Sequence, residues 1–425
     1  MLLTSLVMSQ VGSTGAPDGW QASSENVARE MERHPGLIYR EEEVPDYVLP
    51  PVLKGVDGAP VDSVEAWRRN REILLEAFRT EMYGRRPGLP EELEFETLER
   101  VSGVLGGRAE FERIAVRSRQ GERTHQFEFG LYLPAERAKS IPAVILIDFG
   151  IRGSGSEQAD PDGLGFRAPR AVLERGYAGI VFQYGDIAPD HPDRYTEGAI
   201  RLFEGGEGNR PEDATRAIAA WGWGASRAMD FLESDDRIDS ARVAVVGVSR
   251  NGKAALWAAA EDERFDIAIS MMSGCGGAAL SRRRYGETVR IINRLFPHWF
   301  VPRFERYNDN EEELPIDQHQ LVALIAPRGV YIQSADEDLW ADPLGEYLSL
   351  AHGSAIYTLW GYEPLNPEAM PGLREPIIAG PLGYHIREGG HRVFDYDWQR
   401  ILDFAQQRWE SGLRRTEDRS QEDQE

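Results

Sequence analysis

The residues best suited to covalent chemistry surround Ser249. A run of small and β-branched residues, 244–248, precedes it, and the alanine-rich segment 252–260 follows it. This pattern predicts a strand, a tight turn and a helix, with the serine hydroxyl presented at the helix N-terminus. An oxyanion formed there would receive the backbone N–H of the next residue and the positive end of the helix dipole. A serine at such a turn can also be a plain helix N-cap, so the turn alone leaves both interpretations open.

A group of acids and a histidine follow this serine in the chain. The acids are Asp336, Glu337 and Asp338, which come directly after an apolar run, and His391 lies in a Gly-Gly-His sequence nearer the C-terminus. The order serine, acid, histidine is that of the α/β-hydrolase fold. It predicts acyl transfer, in which the imidazole takes the Ser249 proton and the acid orients the imidazole.

Two histidines compete for the role of base. His391 follows two glycines, which give its loop the freedom to bring the imidazole over Ser249. His385 stands between Tyr384 and Ile386, and these neighbours indicate packing in the core. We therefore predict His391 as the base and keep His385 as the rival. The alternative for His391 is an ordinary histidine of a surface loop, without a catalytic role.

The elements that must position these residues form a repeated pattern. Continuous apolar runs alternate with helical segments, which is typical of buried parallel strands. The predicted strands are 143–148, 178–182, 243–248, 267–271 and 330–333, and the helices between them are 212–232 and 252–261. Before them, residues 62–83 show helical periodicity and residues 93–134 read as antiparallel strands. The prediction is an α/β-hydrolase fold with a mostly parallel, doubly wound sheet, whose ligands bind beyond the carboxyl ends of the strands.

Length and composition indicate a folded, soluble chain. It has 425 residues, of which 41% are hydrophobic and 28% charged, values typical of globular proteins. We predict a single domain over 31–412, a flexible leader or truncated signal over 1–30, and a charged tail over 413–425. The apolar residues 1–8 resemble part of a signal peptide and favour a secreted or periplasmic protein.

Charge and cysteine content exclude several classes of partner and site. The net charge of −23 repels phosphate backbones, so nucleic acid is not expected as a partner. The single cysteine, Cys275, excludes an internal disulfide and any cysteine-rich zinc site. No apolar stretch approaches the ~18 residues of a membrane-spanning helix, so no membrane partner is expected. We also expect a monomer.

The unusual Gly-x-Ser-x-x-Gly spacing of residues 247–252 resembles the Gly-Cys-Ser-Arg-x-Gly motif of the glucuronoyl esterases, carbohydrate esterase family 15. Further matches lie at 273–277, 314–319, 334–343 and 383–387, and the resemblance covers roughly residues 140–410. Members of that family cleave the ester between the 4-O-methyl-glucuronic acid of xylan and lignin alcohols. The resemblance implies this activity on glucuronoxylan or lignin-carbohydrate esters, with no metal or other cofactor.

The resemblance also implies roles for four residues around the serine. Arg250 would stabilise the oxyanion, Lys253 and Glu287 would bind sugar hydroxyls, and Trp340 would line the sugar pocket. The position of Lys253 supports this independently, because it lies one helical turn from Ser249 on the same face. Each of the three sugar-binding candidates also has an alternative without a binding role. Lys253 would then be a surface lysine, Glu287 a surface acid and Trp340 a core tryptophan.

One departure from the family pattern concerns the acid. Fungal members carry it just before the Ser-Gly-x-Gly-Gly turn, where this chain has Met272. We therefore predict Asp338 as the acid, with Asp336 and Glu337 as alternatives. The missing carboxylate also leaves open a noncatalytic carbohydrate-binding protein on the same scaffold. Another carbohydrate esterase, such as an acetylxylan esterase, is the other alternative function.

Overall fold

A computed structural model describes residues 19–55, 58–149, 170–204 and 210–410. Its described part contains one ten-stranded sheet, in the order β1-β2-β3-β5-β4-β6-β7-β8-β10-β9. The strands are β1 Glu92–Gly103, β2 Ala109–Gln120, β3 Arg123–Pro134, β4 Ile141–Asp148, β5 Ala178–Gln183, β6 Ile238–Val248, β7 Ile267–Met271, β8 Gly329–Ala335, β9 Ile377–Ala379 and β10 Leu382–Arg387.

The sheet has an antiparallel beginning and a parallel centre. β1, β2, β3 and β5 pair antiparallel, whereas the pairs β5–β4, β4–β6, β6–β7, β7–β8 and β8–β10 are all parallel. β9 closes the far edge antiparallel to β10. This arrangement confirms the predicted fold class, and the five predicted central strands coincide with β4, β5, β6, β7 and β8.

Helices cover both faces of this sheet. They are α1 Ser24–Arg33, α2 Val64–Phe78, α3 Val104–Gly107, α4 Arg170–Glu174, α5 Tyr184–Ile187, α6 Ala199–Glu204, α7 Ala217–Ser234, α8 Arg250–Glu261, α9 Val289–Leu295, α10 Gln318–Ala323, α11 Pro343–Gly353 and α12 Asp395–Glu410. The predicted helix 62–83 is α2 followed by a π-helical turn at Arg79–Tyr83. No helix among the described residues is long and apolar enough to cross a membrane.

Side chains along the central strands point alternately into two hydrophobic cores. Val144 and Val246 belong to the smaller core, which includes Trp398 and Phe404 of α12. Their neighbours along the strands, such as Val245, belong to the main core with α7 and α8. Successive side chains of a strand point to opposite faces, so this division is what a sheet buried on both sides requires.

The prediction of a flexible leader over residues 1–30 is wrong for residues 24–30. Residues 24–33 form α1, whose first turn is capped by the Ser23 hydroxyl accepting from the backbone N–H of Asn26 at 3.1 Å. Trp20 is buried in the main core, and Asn26 and Glu30 are buried as well. This segment therefore belongs to the folded domain. Residues 1–18 and the predicted tail 413–425 lie outside the described residues.

Candidate active site

Ser249 stands in a strained turn between β6 and α8. Its backbone has φ 56° and ψ −127°, a conformation that non-glycine residues rarely adopt. Its own N–H donates to the carbonyl of Met271 at the end of β7, with an N–O distance of 2.8 Å. The strain is of the kind that persists at functional sites, because the surrounding structure must hold it.

The glycine spacing around this serine follows from two close approaches. A Cβ on Gly247 would lie 1.9 Å from the carbonyl oxygen of Asn251, so no side chain fits there. A Cβ on Gly252 would lie 3.0 Å from the Cβ of Ser273, because α8 begins directly against the turn that follows β7. The Gly-x-Ser-x-x-Gly pattern therefore reflects tight packing of strand, turn and helix.

His391 and Asp338 form a hydrogen-bonded pair. The imidazole Nδ1 lies 2.6 Å from Oδ2 of Asp338. The histidine side chain is 44% exposed and that of the aspartate 8%, so the ring opens to the cleft while the carboxylate stays behind it. Burial disfavours the imidazolium, but the hydrogen bond and charge of Asp338 outweigh it and raise the pKa of His391.

Backbone contacts tie the loop after β8 to the loop after β10. The N–H of Asp336 donates to Arg387 at 3.0 Å, and the N–H of Glu337 donates to Gly389 at 3.2 Å. The Asp336 carboxylate accepts from the backbone N–H of Gly389 at 2.8 Å. Of the three candidate acids, the structure thus places Asp338 against His391 and gives Asp336 a loop-fixing contact.

His385, the rival base, lies inside the core. It is fully buried, with Nδ1 at 2.8 Å from the hydroxyl of Tyr331 and Nε2 at 2.9 Å from the carboxylate of Asp397. Burial lowers its pKa, against the opposing effect of Asp397. Both ring nitrogens are engaged, so this histidine has a structural role.

The predicted serine, acid and histidine share one edge of the sheet. They follow β6, β8 and β10, whose carboxyl ends lie side by side with β7. The turn after β7 joins them, since the N–H of Met272 donates to the carbonyl of Gln333 at 2.8 Å. Ligands of open α/β sheets bind at this edge. No structural observation assigns the three roles, which stay predictions.

Lys253 is buried one turn beyond the serine. Its ammonium donates to the carbonyls of Ser273 and of Cys275, the latter at 2.6 Å. Burial lowers the pKa of Lys253, and the nearby charge of Glu287 opposes this. A buried lysine paired with two backbone carbonyls differs from the surface lysine that the sequence left as an alternative. Cys275 is a buried free thiol.

Glu287 and Trp340 are neighbours through their backbones. The N–H of Glu287 donates to the carbonyl of Trp340 at 3.1 Å. Burial raises the pKa of Glu287, and the Lys253 ammonium opposes this. Glu287 thus lies near both other predicted sugar-binding residues, Lys253 and Trp340.

Comparison with known proteins decides the family. The family model described as glucuronyl esterase of fungi matches residues 116–361, more than half of the chain. The chain belongs to the glucuronoyl esterase family. A carbohydrate esterase from an unknown prokaryotic organism is 39% identical over 400 residues, covering 87% of this chain and 91% of the relative. The 4-O-methyl-glucuronoyl methylesterase of Schizophyllum commune is 27% identical over 325 residues, 74% of each chain.

Solved structures agree with this assignment to the glucuronoyl esterases. A glucuronoyl esterase from Solibacter usitatus superposes with a TM-score of 0.78 at 38% identity, covering 86% of this chain and 99% of that one. A promiscuous family 15 esterase from a marine bacterial metagenome gives a TM-score of 0.77 at 38% identity, covering 87% and 99%. The predicted resemblance to this family is confirmed.

Sequence reasoning missed the side chains that hold Arg250 in this glucuronoyl esterase. The guanidinium forms an ion pair with Asp190 and lies 4.9 Å from the ring centroid of Trp299. Asp190 also accepts from the Trp299 indole at 2.7 Å and lies 2.7 Å from Nε2 of His298. Burial alone would raise the pKa of Asp190, but the contacts with His298 and Arg250 lower it to about 2. The carboxylate therefore stays ionised and keeps the guanidinium in place.

A second missed residue is Glu346 of α11. Its carboxyl group accepts from the N–H groups of Ser273 and Gly274 at 2.7 and 3.0 Å, and from the Ser334 hydroxyl at 2.6 Å. It thus braces the same turn whose carbonyls receive Lys253. Burial raises the pKa of Glu346 to about 8, against these hydrogen bonds. No sequence signal marks it, since it lies 72 or more residues from the turn that it braces.

No group of three or more histidine, cysteine, aspartate or glutamate side chains that could hold a metal ion occurs within the described ranges.

Proposed function

We propose that this chain is a serine esterase that hydrolyses esters of glucuronic acid, including 4-O-methyl-glucuronic acid. The observation that carries the proposal is the His391–Asp338 pair, held at the same sheet edge as the strained Ser249. The printed names of its relatives support the substrate class, since they include glucuronoyl esterases and 4-O-methyl-glucuronoyl methylesterases.

The reaction takes place in two acyl-transfer steps. The neutral imidazole of His391 takes the hydroxyl proton of Ser249, whose oxygen attacks the ester carbonyl. The C–O bond to the alcohol breaks, and His391 gives its proton to the leaving alcohol. Water then attacks the acyl-enzyme with the same proton transfers, which releases the glucuronate and restores the serine. Asp338 holds the ring tautomer and stabilises the imidazolium in each step.

Arg250 and the start of α8 would stabilise the oxyanion. The N–H groups of the first turn have no partner within the helix and carry the positive end of its dipole. The guanidinium, fixed by Asp190, adds cationic N–H donors that need no reorganisation when the oxyanion forms. Lys253 and Glu287 would bind sugar hydroxyls, while the flat indole of Trp340 suits a sugar ring.

We place the natural substrate among the esters that join glucuronoxylan to lignin alcohols. Such a substrate is a polymer outside the cell, which fits the predicted secreted or periplasmic location. The residues behind that prediction, 1–8, lie outside the described part of the structure.

The test compares two esters. The purified protein should hydrolyse the methyl ester of glucuronic acid with a higher kcat/KM than p-nitrophenyl acetate, which lacks the sugar. Ser249→Ala should abolish both activities, and Lys253→Ala should affect only the sugar ester strongly. A preference for the acetate, or an unchanged rate in the Lys253→Ala variant, would favour a different carbohydrate esterase and overturn the substrate assignment.

Covalent labelling separates an enzyme from a noncatalytic binding protein. A fluorophosphonate probe should label the protein at Ser249 and should fail to label Ser249→Ala. Absence of labelling on the folded wild-type protein would contradict the serine mechanism, since an activated serine reacts with this probe and an ordinary hydroxyl does not.

A further inference from the structure

The N-terminal segment 24–39, of which residues 24–30 were predicted to be part of a flexible leader, contacts the loop that carries the acid and the indole. From within α1, the side-chain amide of Asn26 donates to the backbone carbonyl of Asp336 at 3.2 Å. Asn26 is itself buried, so this contact is enclosed by protein. Asp336 lies two residues before Asp338, and α1 therefore fixes the backbone just ahead of the predicted acid.

His34, the residue that ends α1, packs against Trp340. The ring centroids are 4.6 Å apart and the planes are inclined by 48°. The backbone N–H of His34 donates to the carbonyl of Glu30 at 2.9 Å, which anchors the histidine to the helix. Its Nε2 lies 3.9 Å from the Glu30 carboxylate, which is buried. The backbone of His34 is thus fixed to the helix, and its imidazole lies between the Glu30 carboxylate and the predicted sugar-binding indole.

A third contact reaches the strand-like segment before Glu287. Ile38 and Tyr285 form an isolated parallel bridge, and the N–H of Gly286 donates to the carbonyl of Ile38 at 2.9 Å. The Tyr285 hydroxyl donates to the carbonyl of Tyr39 at 3.0 Å, and the two rings meet edge to face at 5.7 Å. The backbone that carries Glu287 is therefore bound to the same N-terminal segment.

We propose that residues 24–39 form one wall of the sugar pocket and that His34 is the positioning residue that sets the orientation of Trp340. The proposal rests on the proposed function, because it assumes that Trp340 contacts the sugar. Trp340 lies on a short 3₁₀ turn, Leu339–Ala341, and its side chain also hydrogen-bonds the carboxyl group of Glu287. An aromatic neighbour at 4.6 Å restricts its rotation, so less order has to be imposed when the sugar binds.

The test uses three variants and two substrates. His34→Ala removes the ring that contacts Trp340 and should raise KM for methyl glucuronate about five- to tenfold, the effect of an aromatic pair. Its kcat should stay within about twofold, because His34 contacts none of the residues that transfer protons. His34→Phe keeps a flat ring and should restore KM. Glu32→Ala, an exposed site on the same helix, should resemble wild type in every measurement.

p-Nitrophenyl acetate distinguishes pocket positioning from general damage. It has no sugar, so His34→Ala should hydrolyse it at the wild-type rate, and the melting temperature should stay close to that of wild type. An unchanged KM for the sugar ester in His34→Ala, with an active wild-type enzyme, would overturn the proposal. An equal loss on both substrates, or failure of His34→Phe to restore KM, would overturn it too. If wild type itself does not hydrolyse glucuronate esters, the proposed function fails instead.

Discussion

In the proposed mechanism, Asp338 sets the pH at which His391 acts as a base. The neutral imidazole is the reactive form, and the carboxylate raises the pKa of His391 above its ordinary value. The rate should therefore rise with pH through that pKa. Asp338→Asn removes the charge, so the acidic limb of the kcat profile should move to lower pH. The maximal kcat should fall by about 10³-fold or more, because the amide no longer stabilises the imidazolium or fixes its tautomer.

The control for this substitution is Asp336→Asn. Its side-chain oxygen can still accept from the N–H of Gly389, and its carboxylate does not contact His391. We expect kcat within a fewfold of wild type and an unshifted profile. Equal losses in the two variants, or an acidic limb that stays in place in Asp338→Asn, would contradict the assignment of Asp338.

Single residues were predictable where chain order and local pattern define a role. Glycine-flanked turns pointed to Ser249 and His391 as candidates, and the position after a buried strand pointed to Asp336, Glu337 and Asp338 together; the contact with His391 distinguishes Asp338 from the other two. Asp190 and Glu346 were not predictable, because they act through contacts between distant parts of the chain. Asp190 and Arg250 are 60 residues apart in the chain, and no local sequence pattern around either residue indicates that they pair.

The turn between β6 and α8 has no space for a side chain at Gly247. In Gly247→Ala, the new Cβ would overlap the carbonyl of Asn251, a backbone atom that can move only if α8 moves. We expect loss of activity and a drop in the free energy of unfolding of about 3 kcal/mol or more, above the usual range for overpacking. Denaturant unfolding with activity assays measures both.

Gly88→Ala is the matched control for this change. Its backbone has an ordinary φ, and the nearest atom to a new Cβ is a Phe203 ring carbon at 3.9 Å. This variant should keep wild-type activity and stability. Wild-type activity in Gly247→Ala would show that the turn tolerates a side chain and that the packing argument is wrong.

The central strands were predictable because burial on both faces leaves continuous apolar runs that no surface segment would carry. β4 to β8 were therefore located to within a few residues, with the largest error at the start of β6. α1 escaped prediction for the opposite reason. Its sequence, SENVAREMER, is mostly polar, and its buried residues are Asn26 and Glu30. Only Val27 and Met31 add apolar contacts with the main core, and two apolar residues are too few to mark a helix by periodicity.

At the level of the whole molecule, the charge of −23 acts differently on substrate and product. A glucuronate ester carries no charge on its carboxyl group, so the acidic surface does not repel it. Hydrolysis creates a carboxylate, which the net field of the protein disfavours. In the proposed mechanism, Arg250 acts on the oxyanion and Lys253 on the sugar, while the overall field favours departure of the acid product.

The protonation state of Glu346, which braces the turn at Ser273, affects the stability of the entire fold. Its pKa is raised to about 8 in the folded protein, against 4.5 for an ordinary glutamate. Between pH 4.5 and about pH 8, Glu346 holds a proton in the folded chain that it has released in the unfolded chain. Unfolding therefore becomes more favourable as the pH rises. The destabilisation grows above about pH 4.5 and levels off above about pH 8, at a few kcal/mol.

Glu346→Gln tests this link, because glutamine imitates the protonated acid and can accept from the same N–H groups. Melting temperatures of the two proteins should agree near pH 5 and separate as the pH rises. By pH 9 the variant should be more stable by several degrees. Glu32→Gln, at an exposed site of α1, should follow wild type throughout. Parallel curves for wild type and Glu346→Gln from pH 5 to pH 9 would contradict a buried protonated carboxyl group, and a variant less stable at pH 9 would show that the ionised form stabilises the turn at Ser273.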